Sequence, residues 1–262
     1  MRTFICFIFI QFFAIPAHAQ ARSLLIEDLT WTEVRDAIAS GKDTAIIYAG
    51  STEQNGPHMV LGKHNFIARH VAQRIAATLG NALVYPVLPI APTGDATAKT
   101  EHMRFPGSIS VSEATFAAVT RDVCMSAIAA GFKNIALMGD HGGGQEALGR
   151  TARELSTEWS AKGIHIHYIA DVYIKSNELV TQYLAKRNLT PGAHAGLADT
   201  AELMAIDSKR RWIRRGKLSP SSPDNGVDGD PRPANAELGR RFLQFKVDSA
   251  VTQIRALLAQ PR

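Results

Sequence analysis

Cysteine is scarce in this chain: its 262 residues include two, Cys6 and Cys124. Cys6 lies in an N-terminal segment that we predict to be removed, so the mature chain has no pair of thiols for an internal disulfide. Glycine, at 20 residues, and proline, at 12, are too few for a disordered or fibrous class. We expect Cys124 to be a buried apolar residue without a catalytic role.

After Gln20 no apolar run is long enough to span a bilayer, which takes about 20 apolar residues. The N-terminus has a shorter run: Arg2 is followed by almost uninterrupted apolar sequence over 4–16 and by the small-x-small signal Ala17-His18-Ala19. This pattern predicts a signal peptide over residues 1–19 rather than a transmembrane anchor. We therefore expect a single domain over residues 20–262 in an exported protein, periplasmic or secreted, with no stable membrane anchor.

The charge balance is moderately basic, with a formal net charge of +5 and an isoelectric point near 9.3. Much of the excess comes from the segment 209–217. Such a run is compatible with nucleic acid or a lipid surface as partner. It contains no interleaved aromatic residue beyond Trp212, so we interpret it as a solvated segment and expect no nucleic-acid partner.

Apolar runs of strand length alternate with segments of helical periodicity from Leu24 onward. Strands are predicted at 44–49, 82–88, 134–138 and 164–173. Helices are predicted at 64–79, 112–130, 145–162, 177–187, 200–207 and 234–258, with Ser112 as a cap and Gly80 and Gly131 as terminators. The alternation predicts a three-layer α/β/α fold around a mainly parallel sheet, in which ligands bind where loops leave the carboxyl ends of strands.

Two polar clusters follow predicted strands and carry metal-ligand chemistry. The first runs from Gly50 to His58 and on to Asn65, and it holds Glu53 and His64, both good ligands for a divalent metal. The second, 139–144, places His141 at a strand exit beside three glycines that let the backbone approach a ligand. This second cluster lacks the Lys-Ser/Thr pair of a phosphate-binding loop and the G-x-G-x-x-G pattern, so nucleotide binding is disfavoured.

A third cluster, 194–200, begins with His194, which has no evident structural role. It ends with Asp199 and Thr200, either of which is suited to cap the helix that follows.

Five segments, in the expected order, resemble the creatininase family of amidohydrolases: GSTEQNGPHMVLGKH, HMRFPGSIS, MGDHGGG, HAGLADTAELM and GVDGDPRPANAELGRR. They span the chain from about Gly50 to Arg241. The resemblance implies a creatininase-like α/β fold, metal-dependent hydrolysis of a C–N bond, and a homo-oligomer, with a hexamer as the family's suggestion. The family pattern is a two-metal site made from Glu, His, a bridging Asp, a second His and often a second Glu.

Glu53 and His141 match that pattern, whereas four positions depart from it: Asn55 replaces a His, His64 the bridging Asp, Gly143 the second Glu of creatininase itself, and Asp199 a frequent Glu. An imidazole is a poor bridge between two cations because its ring nitrogens point apart. Set beside the family, these changes lead to the hypothesis of a one-metal site. Glu53, His64 and His141 would surround one Zn²⁺, with Mn²⁺ as the alternative, and leave one coordination position open.

The resemblance also implies roles around the metal. His194 is expected to donate or relay a proton, and Asp199 to orient it or to take the proton itself. Three further residues are predicted to line the pocket and bind substrate: His58, His102 and Asn55. Asp140 is expected to orient His141 as its hydrogen-bonding partner.

The function that follows is hydrolysis of a small cyclic amide or related C–N bond by metal-activated water. Two alternatives stay open at this point. One is a periplasmic binding or scaffold protein whose metal site has decayed, because several ligand positions are substituted. The other is a related hydrolase or lyase acting on a sugar-derived ring or a modified peptide.

Overall fold

The computed structural model describes residues 23–260, a range that leaves out the predicted signal peptide of residues 1–19. Four parallel strands form one sheet in the order β2-β1-β3-β4, where β1 is Thr44–Ala49, β2 Ala82–Val84, β3 Asn134–Gly139 and β4 His165–Tyr168. Seven α-helices of the described range accompany them: α1 Trp31–Ala39, α2 Lys63–Leu79, α3 Glu113–Ala130, α4 Gln145–Trp159, α5 Ile174–Ala185, α6 Leu197–Ile206 and α7 Ala236–Leu258. Within residues 23–260, none of the helices has the length and apolar character needed to cross a membrane.

The sheet lies between two layers of helices, which confirms the predicted three-layer α/β/α fold. Every residue of β1 and β3 is buried. Alternate side chains of β1 point to opposite faces. Ile46 and Tyr48 join a core cluster with α2 and α7, whereas Ala45 and Ile47 join a second cluster with α3 and α4.

The ends of several elements follow the predicted signals. The Ser112 hydroxyl accepts a hydrogen bond from the Thr115 amide and so caps α3. Gly80 and Gly131 end α2 and α3 in the left-handed conformation that glycine adopts without strain. Cys124 is fully buried in the core, as expected.

Two predicted strands are shorter than expected. The strand predicted at 82–88 ends at Val84, and Leu88 returns to the sheet through a single bridge to Ala49. The strand predicted at 164–173 ends at Tyr168. The apolar residues that follow are buried outside the sheet, because Ile169 and Val172 pack into the core cluster of α2 and α7.

The carboxyl ends of β1 and β3 lie side by side, with Ala49 paired to Gly139. The loop that carries Glu53 and the loop that carries His141 therefore leave the sheet next to each other. The helix α6 is held against α7 at very close range, because a Cβ on Gly239 would lie 1.8 Å from the Ala201 carbonyl oxygen. This contact fixes the position of the segment 194–202 relative to the sheet edge.

We predict that Gly239→Ala lowers the free energy of unfolding by about 2 kcal/mol, because the added methyl group forces α6 and α7 apart. The matched control is Gly216→Ala, where an added Cβ has no atom within 4 Å. Its free energy of unfolding should stay within about 0.5 kcal/mol of the wild-type value. Denaturant unfolding followed by circular dichroism measures both, and equal stability of the two variants would contradict the close helix packing.

Candidate active site

The Glu53 carboxylate is the centre of the site and is fully buried. Its Oε2 lies 2.7 Å from His141 Nε2 and accepts a hydrogen bond from the Ser51 hydroxyl at 3.0 Å. Its Oε1 lies 3.1 Å from His64 Nε2. Burial alone would raise the pKa of Glu53, but the charges and hydrogen bonds of His64 and His141 outweigh it and hold that pKa well below its usual range.

Two more imidazoles approach the same carboxylate. His102 Nε2 lies 3.9 Å and His194 Nδ1 lies 3.8 Å from Glu53 Oε1. The two rings are 4.4 Å apart between centroids. Four histidines from separate segments of the chain thus surround one buried carboxylate, an arrangement suited to binding a cation or moving a proton.

The residues whose ligand atoms all lie within 4.8 Å of one another are Glu53, His102 and His141. His64, the predicted third ligand, has both ring nitrogens on carboxylates, since Nε2 faces Glu53 and Nδ1 lies 2.8 Å from Asp140 Oδ2. The geometry therefore favours His102 as the third donor, and His64 as a ligand stays a prediction. His102 was expected to line the pocket, which it also does.

Gln54 sets the hydrogen positions of two of these rings. Its Oε1 accepts from the Gly56 amide at 2.9 Å, so its Nε2 faces His102 Nδ1 at 3.0 Å. For His102 to bind a metal through Nε2, this amide must turn so that Oε1 accepts from Nδ1–H. The Gln54 backbone carbonyl accepts from His194 Nε2 at 2.9 Å, which leaves His194 Nδ1 with a free lone pair. Burial lowers the pKa of His194 to about 3 and keeps its ring neutral.

The grouped donors Glu53, His102 and His141 could hold one divalent ion. A buried carboxylate with two imidazoles is a common catalytic zinc set that leaves a position open. The Asn55 side-chain nitrogen donates to the backbone carbonyls of Glu53 and Val60, while its Oδ1 is buried without a hydrogen-bond partner among residues 23–260. Gly143 has no room for a ligating side chain, since a Cβ there would lie 2.0 Å from the Pro92 carbonyl oxygen.

Asp140 contacts a different histidine from the one expected. Its Oδ2 bonds His64, while its Oδ1 accepts from Lys246 Nζ at 2.7 Å and from the Tyr48 hydroxyl at 3.3 Å. The expectation that Asp140 orients His141 is therefore wrong, and His141 Nδ1 lies 3.0 Å from the Gly143 amide instead. Asp140 holds His64 in place, and His64 in turn holds Glu53.

Asp199 is tied to Lys63 rather than to His194. Its Oδ2 accepts from Lys63 Nζ at 2.6 Å and from the Ala195 amide at 2.8 Å. It lies in the first turn of α6, whose cap is Gly196. Burial alone would raise the pKa of Asp199, but the Lys63 ammonium outweighs it and keeps the carboxyl ionised. The predicted catalytic role of Asp199 stays a prediction, and its side chain is one-quarter exposed (26%) toward the cavity.

Two predicted substrate-binding residues are placed away from the cavity. Asn55 and His58 are both fully buried, and neither is among the residues that line it. Asn55 organises the loop after β1 through its bonds to backbone carbonyls. His58 Nε2 lies 3.0 Å from the Thr200 hydroxyl and so connects that loop to α6. These contacts give both residues a structural role, but Asn55 Oδ1 and His58 Nδ1 are buried without a partner among residues 23–260, and substrate binding by either residue stays a prediction.

Sequence reasoning did not identify several polar residues of the site: Lys63, Glu202, Lys246 and Gln54. Lys246 could have been found, because it lies on the buried stripe of α7 between Phe242 and Ala250, where a charge needs a partner. Its ammonium also lies 3.3 Å from Glu202 Oε2. No comparable signal marks Gln54 or Glu202.

A cavity of about 510 Å³ opens beside this centre. The loops after the strands contribute His102, His141 and Gly142 to its lining. Further lining comes from residues in or next to α5 and α6, namely Tyr173, Asn177, Val180, Thr181, His194, Asp199 and Glu202. A cavity of this volume is of the size that holds a small organic ligand.

These observations define a class of protein. Its members have a three-layer α/β/α fold with one buried carboxylate–histidine centre at the carboxyl edge of the sheet. The model of the family described as "Creatininase: Creatinine amidohydrolase" matches residues 27–254. The chain belongs to the creatininase family.

Curated relatives carry two different names. A "Mycofactocin precursor peptide peptidase" of Mycobacterium ulcerans (strain Agy99) is 30% identical over 238 residues, which cover 85% of this chain and 89% of that protein. A "Creatinine amidohydrolase" of Pseudomonas putida is 27% identical over 121 residues, 46% of each chain.

Solved structures agree on the fold. A "Crystal structure of creatinine amidohydrolase (creatininase)" superposes with a TM-score of 0.77 at 21% identity, over 92% of this chain and 100% of that one. A structure named "Creatininase Mn" gives a TM-score of 0.76 at 20% identity, over 91% of this chain and 100% of that one. At these identities the likeness establishes the fold.

We predict that Lys246→Met lowers the free energy of unfolding by about 3–5 kcal/mol, because Asp140 and Glu202 then face each other without a cation. The side chains of Lys246, Asp140 and Glu202 are almost completely buried, so solvent screens the loss very little. Lys217→Met, at an exposed position, is the matched control and should change stability by less than about 0.5 kcal/mol. Equal unfolding midpoints in urea would contradict the buried cluster.

Glu202 gives a prediction on pH. Burial raises its pKa from 4.5 to about 7, so between these values the unfolded chain loses a proton that the folded chain keeps, and folding weakens as pH rises. Glu202→Gln lacks this loss. The free energy of unfolding of the variant, relative to that of the wild type, should therefore rise by on the order of 2–3 kcal/mol between pH 5 and pH 8. Urea titrations across that range measure the difference, and a constant difference would refute the assignment.

Proposed function

We propose that this protein hydrolyses a C–N bond of a small amide with the help of one bound divalent metal. The observation that carries the proposal is the buried Glu53 carboxylate with His102 and His141 beside it, at the edge of a cavity. A carboxylate with two imidazoles on a rigid sheet edge is suited to hold a metal at a catalytic position. Zn²⁺ is the metal we expect, with Mn²⁺ as the alternative.

The residues that would hold the ion are Glu53, His102 and His141. When bound there, such an ion lowers the pKa of a water molecule toward about 7 and polarises the amide carbonyl. His64 fixes one oxygen of Glu53 through the contact at 3.1 Å and is itself fixed by Asp140. Ordered partners of this kind keep ligand atoms in position and strengthen metal binding.

His194 is the proposed proton carrier. Its Nε2–H is bonded to the Gln54 carbonyl, so its Nδ1 lone pair is available to accept a proton from the attacking water. Because the ring is neutral in the resting state, it can take this proton and then give it to the departing nitrogen. Asp199, fixed by Lys63 and still partly exposed, is placed to accept a hydrogen bond from the substrate.

The size of the substrate follows from the cavity and the relatives. A volume of about 510 Å³ admits a small cyclic amide, and it also admits the end of a short peptide. Relatives named for creatinine and for a peptide precursor support testing both classes. We also propose export, with removal of residues 1–19, and a homo-oligomer; both rest on the sequence and the family resemblance.

We predict about one equivalent of metal per chain, measured by elemental mass spectrometry on protein purified without chelator. Glu53→Gln, His102→Ala and His141→Ala should lose the metal, because each removes a donor atom. His64→Ala should keep it with an affinity about 10- to 100-fold lower, since only a supporting contact is lost. His70→Ala, on the same helix as His64, is the control and should match the wild type.

The outcomes separate the alternatives. Loss of metal in His64→Ala with retention in His102→Ala would restore the ligand set Glu53, His64 and His141. Two equivalents in the wild type would refute a one-metal site, and none would favour a non-catalytic binding protein. The metal-loaded protein is then assayed with creatinine, hydantoin, pyroglutamate and short unmodified and N-blocked peptides, by mass spectrometry of the products. No turnover with any of them would contradict the proposed hydrolysis.

A further inference from the structure

The side chain of Tyr173 ends in the cavity with an unused hydrogen-bond donor. Tyr173 directly precedes α5, and its ring packs against the core cluster of α2 and α7. Within residues 23–260 its hydroxyl has no hydrogen-bond partner, although it lines the cavity. The hydroxyls of Tyr48 and Tyr168 are bonded to Asp140 and Gln145. A hydroxyl that has no protein partner and belongs to a residue lining the cavity is available to donate to a ligand bound there.

The hydroxyl lies beside the candidate metal centre. Gly142 directly follows the candidate ligand His141, and a Cβ built on Gly142 would lie 3.0 Å from the Tyr173 hydroxyl oxygen. The phenol therefore rests on the backbone of the loop that presents His141. The absence of a side chain at Gly142 leaves the space that the hydroxyl occupies.

Three other donors that line the cavity, on Lys63, Lys246 and His194, are already engaged. Lys63 donates to Asp199, and Lys246 lies between Asp140 and Glu202. The Nε2–H of His194 is bonded to a backbone carbonyl. Attack of water on an amide carbonyl builds negative charge on the carbonyl oxygen, and that charge needs a donor fixed in advance. Tyr173 has the free hydrogen to supply it.

The hydroxyl also keeps its hydrogen at all relevant pH values. Burial raises the pKa of Tyr173, and the nearby charge of Asp199 adds to this effect against the opposing charge of Lys246. Tyr173 is therefore a hydrogen-bond donor and not a base.

We propose that Tyr173 is a catalytic residue whose hydroxyl donates a hydrogen bond to the carbonyl oxygen of the scissile amide. The inference rests on the proposed amide hydrolysis. As the water oxygen bonds to the carbonyl carbon, the π electron pair moves onto the carbonyl oxygen, and the Tyr173 hydrogen stays on Tyr173. The pair returns when the C–N bond breaks, and the nitrogen leaves with the proton that His194 took from the water.

The test is Tyr173→Phe, which removes the hydroxyl and keeps the ring. The assay uses the metal-loaded protein and whichever amide of the panel above has the highest kcat/KM. We expect kcat to fall roughly 10- to 100-fold and KM to stay within about twofold, because the bond strengthens only as charge develops. Tyr183→Phe is the matched control: it makes the same change at the other end of α5, where the ring packs on Phe242 and Phe245, and should leave kcat unchanged.

A second variant tests the same hydrogen bond by changing Gly142, the loop residue against which the Tyr173 hydroxyl packs. Gly142→Ala should displace the hydroxyl and lower kcat, with metal content and unfolding midpoint close to wild type. In the Tyr173→Phe background the same change should have little further effect, since the group it displaces is gone. A fully additive effect on kcat would overturn the inference.

The remaining outcomes separate this inference from the function on which it rests. Unchanged kcat in Tyr173→Phe, or a raised KM at unchanged kcat, overturns the inference while wild-type hydrolysis leaves the proposed function standing. Failure of the wild type to hydrolyse any amide of the panel overturns both.

Discussion

The negative charge of Glu53, buried without any exposed surface, is the constraint on which the rest of the site depends. A carboxylate in such a place stays ionised only if donors or cations surround it. His141 and His64 provide the first contacts, and His64 in turn requires Asp140. Asp140 then requires Lys246, so one buried charge in the loop after β1 determines the identity of residues as distant as α7.

The charge balance of the centre supports the metal. The carboxyl groups in and around it outnumber the lysines by two, before the imidazoles are counted: Glu53, Asp140, Asp199 and Glu202 against Lys63 and Lys246. Each lysine is already paired at 2.6–2.7 Å with an aspartate. Glu53 has imidazoles and the Ser51 hydroxyl beside it but no lysine, so a divalent cation there would supply the positive charge that the lysines do not. The same reasoning explains why the pKa of Glu202 rises: it shares Lys246 with Asp140, which is bonded more closely.

The sequence was sufficient for the layers of the fold and for the meeting of Glu53 with His141, because parallel strands deliver their following loops to one edge. It was insufficient for partners whose position depends on loop paths. In the sequence, His64 and His102 are similar candidates for metal binding. Only the fold of the segments around them decides which of the two faces Asp140. The partner of Asp140 is 106 residues away in the chain: the buried stripe of α7 marks Lys246 as a charge that needs a partner, but it does not say which carboxylate it meets. Asn55 and His58 lie within a motif that resembles the family's, yet both are buried and neither is among the residues that line the cavity.

Two parts of the chain contribute different kinds of residue to the cavity. The candidate metal ligands are carried by loops at the edge of the sheet, whereas α5 contributes Asn177, Val180 and Thr181, which lie within one turn of each other, to the cavity lining. Asn177 and Thr181 are exposed and take no part in the buried charge network. Substitutions there can change which molecules fit while the ion pairs beneath remain intact. A family built on this plan can acquire new substrates by altering a single helix face, which accords with relatives named for a peptide precursor and for creatinine.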